Sequence, residues 1–333
     1  MKKYNVAIIG LGVGKKVLIS LKKNIKIDKI KLFDFDTKKL KSISKKFNLD
    51  YYKRETDLYS DINIDIIYIA SYDNYHFDQC KKALLANKHV FIEKPAFMNE
   101  HECNRIKKIL DKKKKLAIFS NVILRKSKRF NYLKKKIESG FLGKIYYVEG
   151  DYNYGRLNKL TNGWRGKIPF YSVTLGGGIH LIDLICWLLN IKIEEVSSYS
   201  NKICTNGTKF KYPDLVTTIF KTKKQIVGKI TSNFGAVYPH FHKLSLYGTK
   251  KTFENFLGKA NFFIKRDTNK KINVKIPYVV KNKGALFNDI FNCIENFKTR
   301  NDTKKEIFNV LKVCFAIEKS INSKNKIKLK YKN

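Results

Sequence analysis

From Tyr4 to Ser120, short apolar runs alternate with amphipathic helical patterns, and this rhythm restricts the fold more than any other feature of the chain. The strand candidates are Tyr4–Ile9, Lys29–Asp34, Asp65–Ala70, His89–Glu93 and Leu116–Ser120. Between them lie helical patterns at about Val13–Lys23, Thr37–Phe47, Tyr75–Ala86 and Asn99–Lys112. Strands separated by single helices form parallel β-α-β units, so residues 1–121 are predicted to be an α/β domain with a doubly wound parallel sheet. After Ser120 the pattern changes. A helix near 127–139 ends at Gly140, a strand follows at 144–152, and a Gly-rich stretch from Tyr154 to Gly178 precedes a helix at 179–189. Strand patterns then run in series near 193–203, 214–221, 225–233 and 243–248, with helices returning at about 285–298 and 303–320. Strands in series favour antiparallel pairing, so residues 122–333 are predicted as an α+β domain with a mostly antiparallel open sheet.

Length and composition agree with two folded domains. At roughly 150 residues per domain, 333 residues that are 43% hydrophobic are enough to bury two cores. No apolar run approaches the ~18–20 residues of a membrane span. The Met-Lys-Lys start runs through Val13 into Lys15 and Lys16 without a small-residue cleavage site, so it reads as the approach to a first strand, not a signal peptide. The six cysteines (80, 103, 186, 204, 293 and 314) include no C-x-x-C pair, which favours reduced, buried thiols in a cytoplasmic protein over disulfides or a metal site. Charge is lopsided, with 69 Lys+Arg against 28 Asp+Glu and a formal net of +41. Only eight of those cations are Arg, and the lysines are spread along the chain among many Asn and Ile. That distribution fits solvated faces coded by an AT-rich genome and argues against dedicated nucleic-acid binding. An anionic small substrate or a phosphorylated cofactor suits the field better.

The turn Gly10-Leu11-Gly12-Val13-Gly14 follows the first strand directly and opens a helix. Glycine lets the backbone approach a pyrophosphate, and the helix start offers unpaired N–H groups and a positive dipole end. Asp34 ends the second strand, where a carboxylate would accept bonds from both ribose hydroxyls. The first domain is therefore predicted to be a Rossmann domain that binds NAD. Lys15, which stands where a third glycine is usual, adds attraction for phosphate together with Lys16 and Lys38, and so keeps NADP possible.

Further motifs carry a family resemblance. Ser71-Tyr72-Asp73-Asn74-Tyr75-His76 follows one strand, and Lys88-His89-Val90-Phe91-Ile92-Glu93-Lys94-Pro95 forms the next and its end. Gly140-Phe141-Leu142-Gly143-Lys144-Ile145, Gly163-Trp164-Arg165, Gly178-Ile179-His180-Leu181-Ile182-Asp183 and Tyr247-Gly248-Thr249 complete the series. In this order the motifs resemble the glucose–fructose oxidoreductase, inositol dehydrogenase and rhizopine-catabolism family (Gfo/Idh/MocA) over nearly the whole chain. The resemblance implies an NAD(P)-dependent oxidoreductase acting on a secondary alcohol or ketone of a sugar, nucleotide-sugar or cyclitol. It further implies that Ser71, Asn74, His76, Glu93 and Lys94 lie at the cofactor, that a cis bond precedes Pro95, and that protomers assemble as a homodimer or homotetramer.

In the second domain, His180, Asp183 and Trp187 share one stripe of a helix that is otherwise apolar. From the residues alone His180 and Asp183 read as a hydrogen-bonded structural pair; the resemblance implies instead that His180 is catalytic and that Lys94 lies near the substrate, where an imidazole suits removal of a carbinol proton and a lysine stabilisation of the oxygen, so Lys94 and His180 are the expected catalytic pair. They are expected to face the substrate across a cleft between the domains. Many family members carry an Asp four residues before this histidine, whereas here the residue is Gly176. That departure motivates an alternative reading, a non-catalytic sensor of dinucleotide or sugar. Asn121, Arg125, Tyr152, Arg156, Trp164, Arg165, His180 and Asp183 are the substrate-binding candidates, with Tyr154 and Tyr171 in the same loops. His240 and His242 share a strand face without a third ligand, and no metal is expected.

Overall fold

The computed structural model describes residues 2–282 and 284–331. The apolar runs of the first stretch become strands β1 (Tyr4–Ile9), β2 (Ile27–Phe33), β3 (Asp50–Tyr51), β4 (Ile66–Ile69), β5 (His89–Ile92) and β6 (Ile118–Ser120). They form one parallel sheet in the order β3-β2-β1-β4-β5-β6. Its crossovers contain α1 (Lys15–Lys22), α2 (Thr37–Phe47), α3 (Glu55–Ser60), α4 (His76–Leu85) and α5 (Glu100–Lys112). The helix starts are capped as their sequences suggest. Asp36 accepts the Lys39 N–H at 3.0 Å, and Asn99 accepts that of Glu102 at 2.9 Å. Strand order reverses between β1 and β4, which puts the glycine turn at the point where doubly wound sheets bind ligands.

The second sheet has nine strands. Following α6 (Lys128–Glu138) come β7 (Ile145–Asn153), α7 (Asn158–Thr161), α8 (Ile179–Leu189), β8 (Ile193–Asn201), β9 (Leu215–Thr222), β10 (Val227–Asn233), β11 (Phe241–Gly248), β12 (Thr252–Phe256), β13 (Lys259–Phe263) and β14 (Lys271–Asn273). The chain then forms α9 (Phe287–Glu295), α10 (Phe297–Ser323) and β15 (Ile327–Lys328). The order is β14-β13-β12-β11-β7-β10-β9-β8-β15, antiparallel except for β7 with β10. Inward residues of β7 alternate as Val148, Gly150 and Tyr152, all buried. α8 packs so closely on this face that a Cβ at Gly150 would lie 3.2 Å from Leu181.

Two units result, Met1–Ile123 with Lys281–Phe308, and Leu124–Val280 with Asn309–Asn333. The expected boundary after residue 121 lies close to the first change of unit, but the stretch 281–308 differs by returning to the first unit. Helix α9 is the cause. Its stripe of Phe287, Ile290 and Phe291 joins the core of the parallel sheet, with Phe291 stacked 5.1 Å from Tyr4 and Phe287 edge-on 4.9 Å from Phe91. Strands β12 to β14 were not expected from the sequence. Inward-facing Asn255 and Asn261 hide their alternation, because polar side chains occupy core positions. Asn255 is satisfied there, accepting from Arg129 Nη1 at 2.7 Å and donating to the His242 carbonyl at 2.7 Å. Of the six cysteines, Cys80, Cys103, Cys293 and Cys314 are buried, Cys186 is half-buried and Cys204 is exposed. Among the described residues, no helix is long and apolar enough to cross a membrane.

Candidate functional site

In the first unit, the three glycines of the turn have different neighbours. Gly10 has φ +89°, and a Cβ there would stand 2.5 Å from the Ala70 carbonyl at the end of β4. A Cβ at Gly14 would stand 2.3 Å from the Gly10 carbonyl. At Gly12 it would meet nothing within 4 Å. Packing within the chain therefore accounts for Gly10 and Gly14, whereas the space over Gly12 is left open where a pyrophosphate would lie. The Gly10 N–H donates to the Phe33 carbonyl and the Leu11 N–H to Asp34 Oδ2 at 2.6 Å, and at the start of α1 the Lys16 and Val17 N–H groups turn back onto the Val13 and Gly14 carbonyls at 2.9 and 3.0 Å. Lys15 and Val13 are exposed, so the lysine in the third glycine's place does not fill the turn.

Asp34 is more committed than its motif implied. Oδ2 takes the Leu11 N–H and the Lys39 ammonium at 3.0 Å, and Oδ1 takes the Asp36 N–H at 2.9 Å. A carboxylate oxygen accepts about two bonds, so Oδ1 retains room for one ribose hydroxyl and Oδ2 is already occupied. The cation at this acid is Lys39, not one of the three lysines singled out from the sequence.

Past β4, Ser71 donates its hydroxyl to Gln79 at 2.6 Å and Asn74 lies exposed in a single 3-10 turn. His76 departs from its expected place at the cofactor. Its ring is fully buried, with Nδ1 2.7 Å from the Pro95 carbonyl and Nε2 3.3 Å from the Ser71 carbonyl. It therefore braces the turn that carries Lys94. The Lys94–Pro95 peptide is cis, as the resemblance implied. Glu93 is also buried and accepts from Tyr68 Oη and Asn121 Nδ2, both at 2.6 Å. Burial and that carboxylate push the Tyr68 phenol well above its ordinary value. Asn121 Oδ1 has no partner among the described residues, leaving a buried acceptor for a ligand's N–H. Lys94 is half-buried at the end of β5.

In the second unit, α8 is entered through a π-helical turn, Thr174–Gly178. A Cβ at Gly177 would strike Tyr152 at 2.4 Å, one at Gly178 would strike Ser232 Oγ at 2.2 Å, and one at Gly176 would lie 2.0 Å from Tyr171 Oη. The buried Tyr171 phenol thus fills the place where a side chain at 176 would begin. Ser172 anchors the turn, accepting the Leu175 N–H and donating to Glu318 of α10, a carboxyl raised by burial. His180 lies half-buried in the first turn of α8, stacked on Tyr152 (6.1 Å, 23°) and edge-on to His242 (5.6 Å, 88°). His242 Nδ1 is hydrogen-bonded to Tyr278. That pairing was missed because 36 residues separate the two in sequence and Tyr278 lies in no helix or strand whose pattern would place it.

Arg125 and Asp183, both expected at the substrate, form a bidentate pair, with Nε 2.9 Å from Oδ2 and Nη2 2.5 Å from Oδ1. Trp187 lies beside them, with the Lys134 ammonium 4.8 Å from its ring. Tyr152 is buried and its phenol raised by that burial. Arg156 is exposed over the Tyr154 ring, and the half-buried Arg165 stacks on Trp164 at 4.6 Å while its Nε donates to Tyr171 Oη at 3.0 Å. Among the described residues, no three His, Cys, Asp or Glu side chains converge to hold a metal.

With the space over Gly12 open and an acid closing the turn from the end of β2, the first unit is that of an NAD-binding oxidoreductase. Residues 4–121 match the profile described as an oxidoreductase family with an NAD-binding Rossmann fold, and residues 130–254 match the GFO/IDH/MocA C-terminal domain. The chain belongs to the Gfo/Idh/MocA oxidoreductase family. It is 33% identical over 138 residues to an uncharacterised oxidoreductase of Schizosaccharomyces pombe, covering 41% of this chain but only 37% of that protein. It is 24% identical over 257 residues to myo-inositol 2-dehydrogenase of Thermotoga maritima, covering 74% of this chain and 73% of the relative. Its fold matches scyllo-inositol dehydrogenase of Lactobacillus casei, solved with NAD(H) and scyllo-inositol, at a TM-score of 0.78 and 16% identity, covering 98% of this chain and 99% of the other.

Proposed function

We propose that the protein is an NAD-dependent dehydrogenase that oxidises a secondary alcohol of a sugar or cyclitol, or reduces the corresponding ketone. The observation carrying this reading is the open space over Gly12 beside the Asp34-closed turn, in a chain that also carries Lys94 and His180. Relatives named for inositol oxidation and a fold neighbour solved with NAD(H) and a cyclitol support the substrate class. The turn 10–14 holds the pyrophosphate, Oδ1 of Asp34 takes one ribose hydroxyl, and Asn121 Oδ1 accepts from the carboxamide. Bound NAD supplies the hydride acceptor. His180 removes the hydroxyl proton of the carbinol, and Lys94 stabilises negative charge developing on the oxygen. Glu93 and His76 position Lys94 and Asn121, while Tyr152 and His242 fix the imidazole's orientation.

The test is formation of reduced nicotinamide when the protein is incubated with NAD and a panel of sugars and cyclitols. Turnover on at least one member is expected. Calorimetric NAD binding without turnover on any of them would favour a sensor. The open face of the second sheet exposes Tyr199, Ile219 and Val227, and a homodimer or homotetramer through that face, working in the cytoplasm, completes the proposal. Light scattering that finds a monomer at physiological salt would remove the assembly.

A further inference from the structure

Where β4 ends, the chain packs closely against the glycine turn. A Cβ at Gly10 would stand 2.5 Å from the Ala70 carbonyl oxygen and 2.6 Å from the Ser71 nitrogen, and His76 Nε2 lies 3.3 Å from the Ser71 carbonyl. The main chain at Ser71 is therefore fixed against the turn. Its side chain is fixed separately, by a line of hydrogen bonds through residues outside the motifs. The Ser71 hydroxyl donates to Gln79 Oε1 at 2.6 Å. Gln79 belongs to α4, is only 2% exposed, and extends its Nε2 to Glu55 Oε2 at 3.4 Å, at the start of α3. The other oxygen of Glu55 accepts from Tyr59 Oη at 2.6 Å and lies 3.9 Å from the Lys82 ammonium. Burial and that carboxylate raise the Tyr59 phenol, which keeps its proton and donates it.

The acid at the far end of this line dictates the direction of each bond in it. A carboxylate only accepts, so Gln79 must turn its amide nitrogen toward Glu55; the flipped amide would set oxygen against oxygen. Gln79 then has only its carbonyl oxygen for Ser71, and the serine's single hydroxyl proton is directed there. What Ser71 presents to a ligand is lone pairs. Such a group accepts from a hydroxyl or an N–H and repels a phosphate oxygen. A dinucleotide lies across the point where strand order reverses, with its adenosine ribose at the acid that closes β2 and its other half toward β4. On that other half, the donors nearest the pyrophosphate are the hydroxyls of the second ribose.

We infer that Gln79 and Glu55 are positioning residues for the cofactor: they hold Ser71 as a hydrogen-bond acceptor, so that the end of β4 selects a ribose hydroxyl of the nicotinamide half and rejects a phosphate oxygen. This rests on NAD binding at the turn 10–14 and is independent of which alcohol is oxidised.

The experiment is calorimetric titration of the wild type, Ser71→Ala, Gln79→Leu and the double variant with ADP, ADP-ribose and NAD. ADP ends at the pyrophosphate, ADP-ribose adds the second ribose, and NAD adds the nicotinamide. Gln79→Leu keeps most of the side chain's bulk. It is expected to weaken ADP-ribose and NAD by about three- to tenfold, the span of one neutral hydrogen bond, and to leave ADP unchanged. Because Gln79 acts through Ser71, the double variant should bind no more weakly than Ser71→Ala. A merely structural role for Gln79 would lower all three affinities and add to the loss at Ser71. If Gln79→Leu does not fold, Glu55→Gln gives the same test: an amide at 55 lets Gln79 turn over and Ser71 become a donor, and the same two ligands should weaken. Unchanged binding of ADP-ribose and NAD, an equal loss of ADP, additive losses in the double variant, or a loss confined to NAD overturns the inference. A wild type that binds none of the three ligands would defeat the cofactor assignment itself, and this inference with it.

Discussion

The Leu11 N–H donates to Asp34 Oδ2 at 2.6 Å, so the carboxylate proposed to bind the ribose also ties the glycine turn to the end of β2. Removing the carboxylate removes both functions. Asp34→Ala is expected to weaken NAD binding by at least roughly tenfold, since it deletes a buried acceptor as well as a ligand contact. In the wild type, NAD should bind more tightly than NADP because the acid repels a 2′-phosphate, with the margin narrowed by Lys39 at 3.0 Å. Parallel fluorescence titrations with the two cofactors measure this; equal or tighter NADP binding would reverse the assignment.

The turn's glycines should separate stability from binding. Gly14→Ala forces a Cβ to 2.3 Å from the Gly10 carbonyl and is expected to lower the unfolding temperature. Gly12→Ala meets no atom of the described residues within 4 Å, so its thermal stability should match the wild type while NAD affinity falls. A Gly12→Ala protein that binds NAD normally would show that nothing occupies the space above it.

Turnover should depend on Lys94 and His180. Lys94→Ala is expected to reduce kcat by at least ~10²-fold, within the range for a group that stabilises developing charge, with the fold intact by circular dichroism. His180→Ala should reduce it similarly and remove the acidic-limb ionisation from the pH–rate profile. An unchanged profile in His180→Ala would move proton transfer to another group.

Acid sensitivity is built into the parallel sheet at His89. Burial, with Arg300 nearby, lowers this imidazole from 6.5 to about 4, and Nδ1 accepts the Ala117 N–H at 3.0 Å. The folded ring stays neutral where the unfolded one takes up a proton. Its contribution is therefore full above pH 6.5 and is lost as pH falls from there through about 4. The slope in that window is at most roughly 1.4 kcal/mol per pH unit. His89→Asn keeps an acceptor for Ala117 without the titration, and should flatten the fall in unfolding temperature between neutral pH and about pH 5. An equally steep fall in the variant would place the acid sensitivity elsewhere.

The parallel sheet was legible in the sequence because its strands are buried on both faces and are almost purely apolar, as in Ile66–Ile69. The later strands were harder to read, since Asn255 and Asn261 occupy core positions that periodicity assigns to apolar side chains. The return of α9 to the first core left no local signal, because a stripe such as Phe287, Ile290 and Phe291 shows that a helix is buried but not against what. The same limit applied to the site. The family resemblance marked Glu93 and His76, the helix stripe marked Asp183 and the position after the last parallel strand marked Arg125, but only the folded chain shows Arg125 paired with Asp183, Glu93 with Tyr68 and Asn121, and His76 braced on Pro95. Gly176 was visible as a departure from the family pattern, and its physical reason, the Tyr171 hydroxyl in the side chain's place, depends on a residue five positions away.

The central claim is hydride transfer from a carbinol carbon to the cofactor, and isotopic labelling tests it most directly. A cyclitol or sugar deuterated at the reacting carbon would be incubated with the protein and NAD in ordinary water, and the reduced cofactor analysed by mass spectrometry. The account predicts that deuterium is transferred to the nicotinamide ring, and that Lys94→Ala and His180→Ala slow its appearance. Reduced cofactor without deuterium, or deuterium lost only to the solvent, would contradict it.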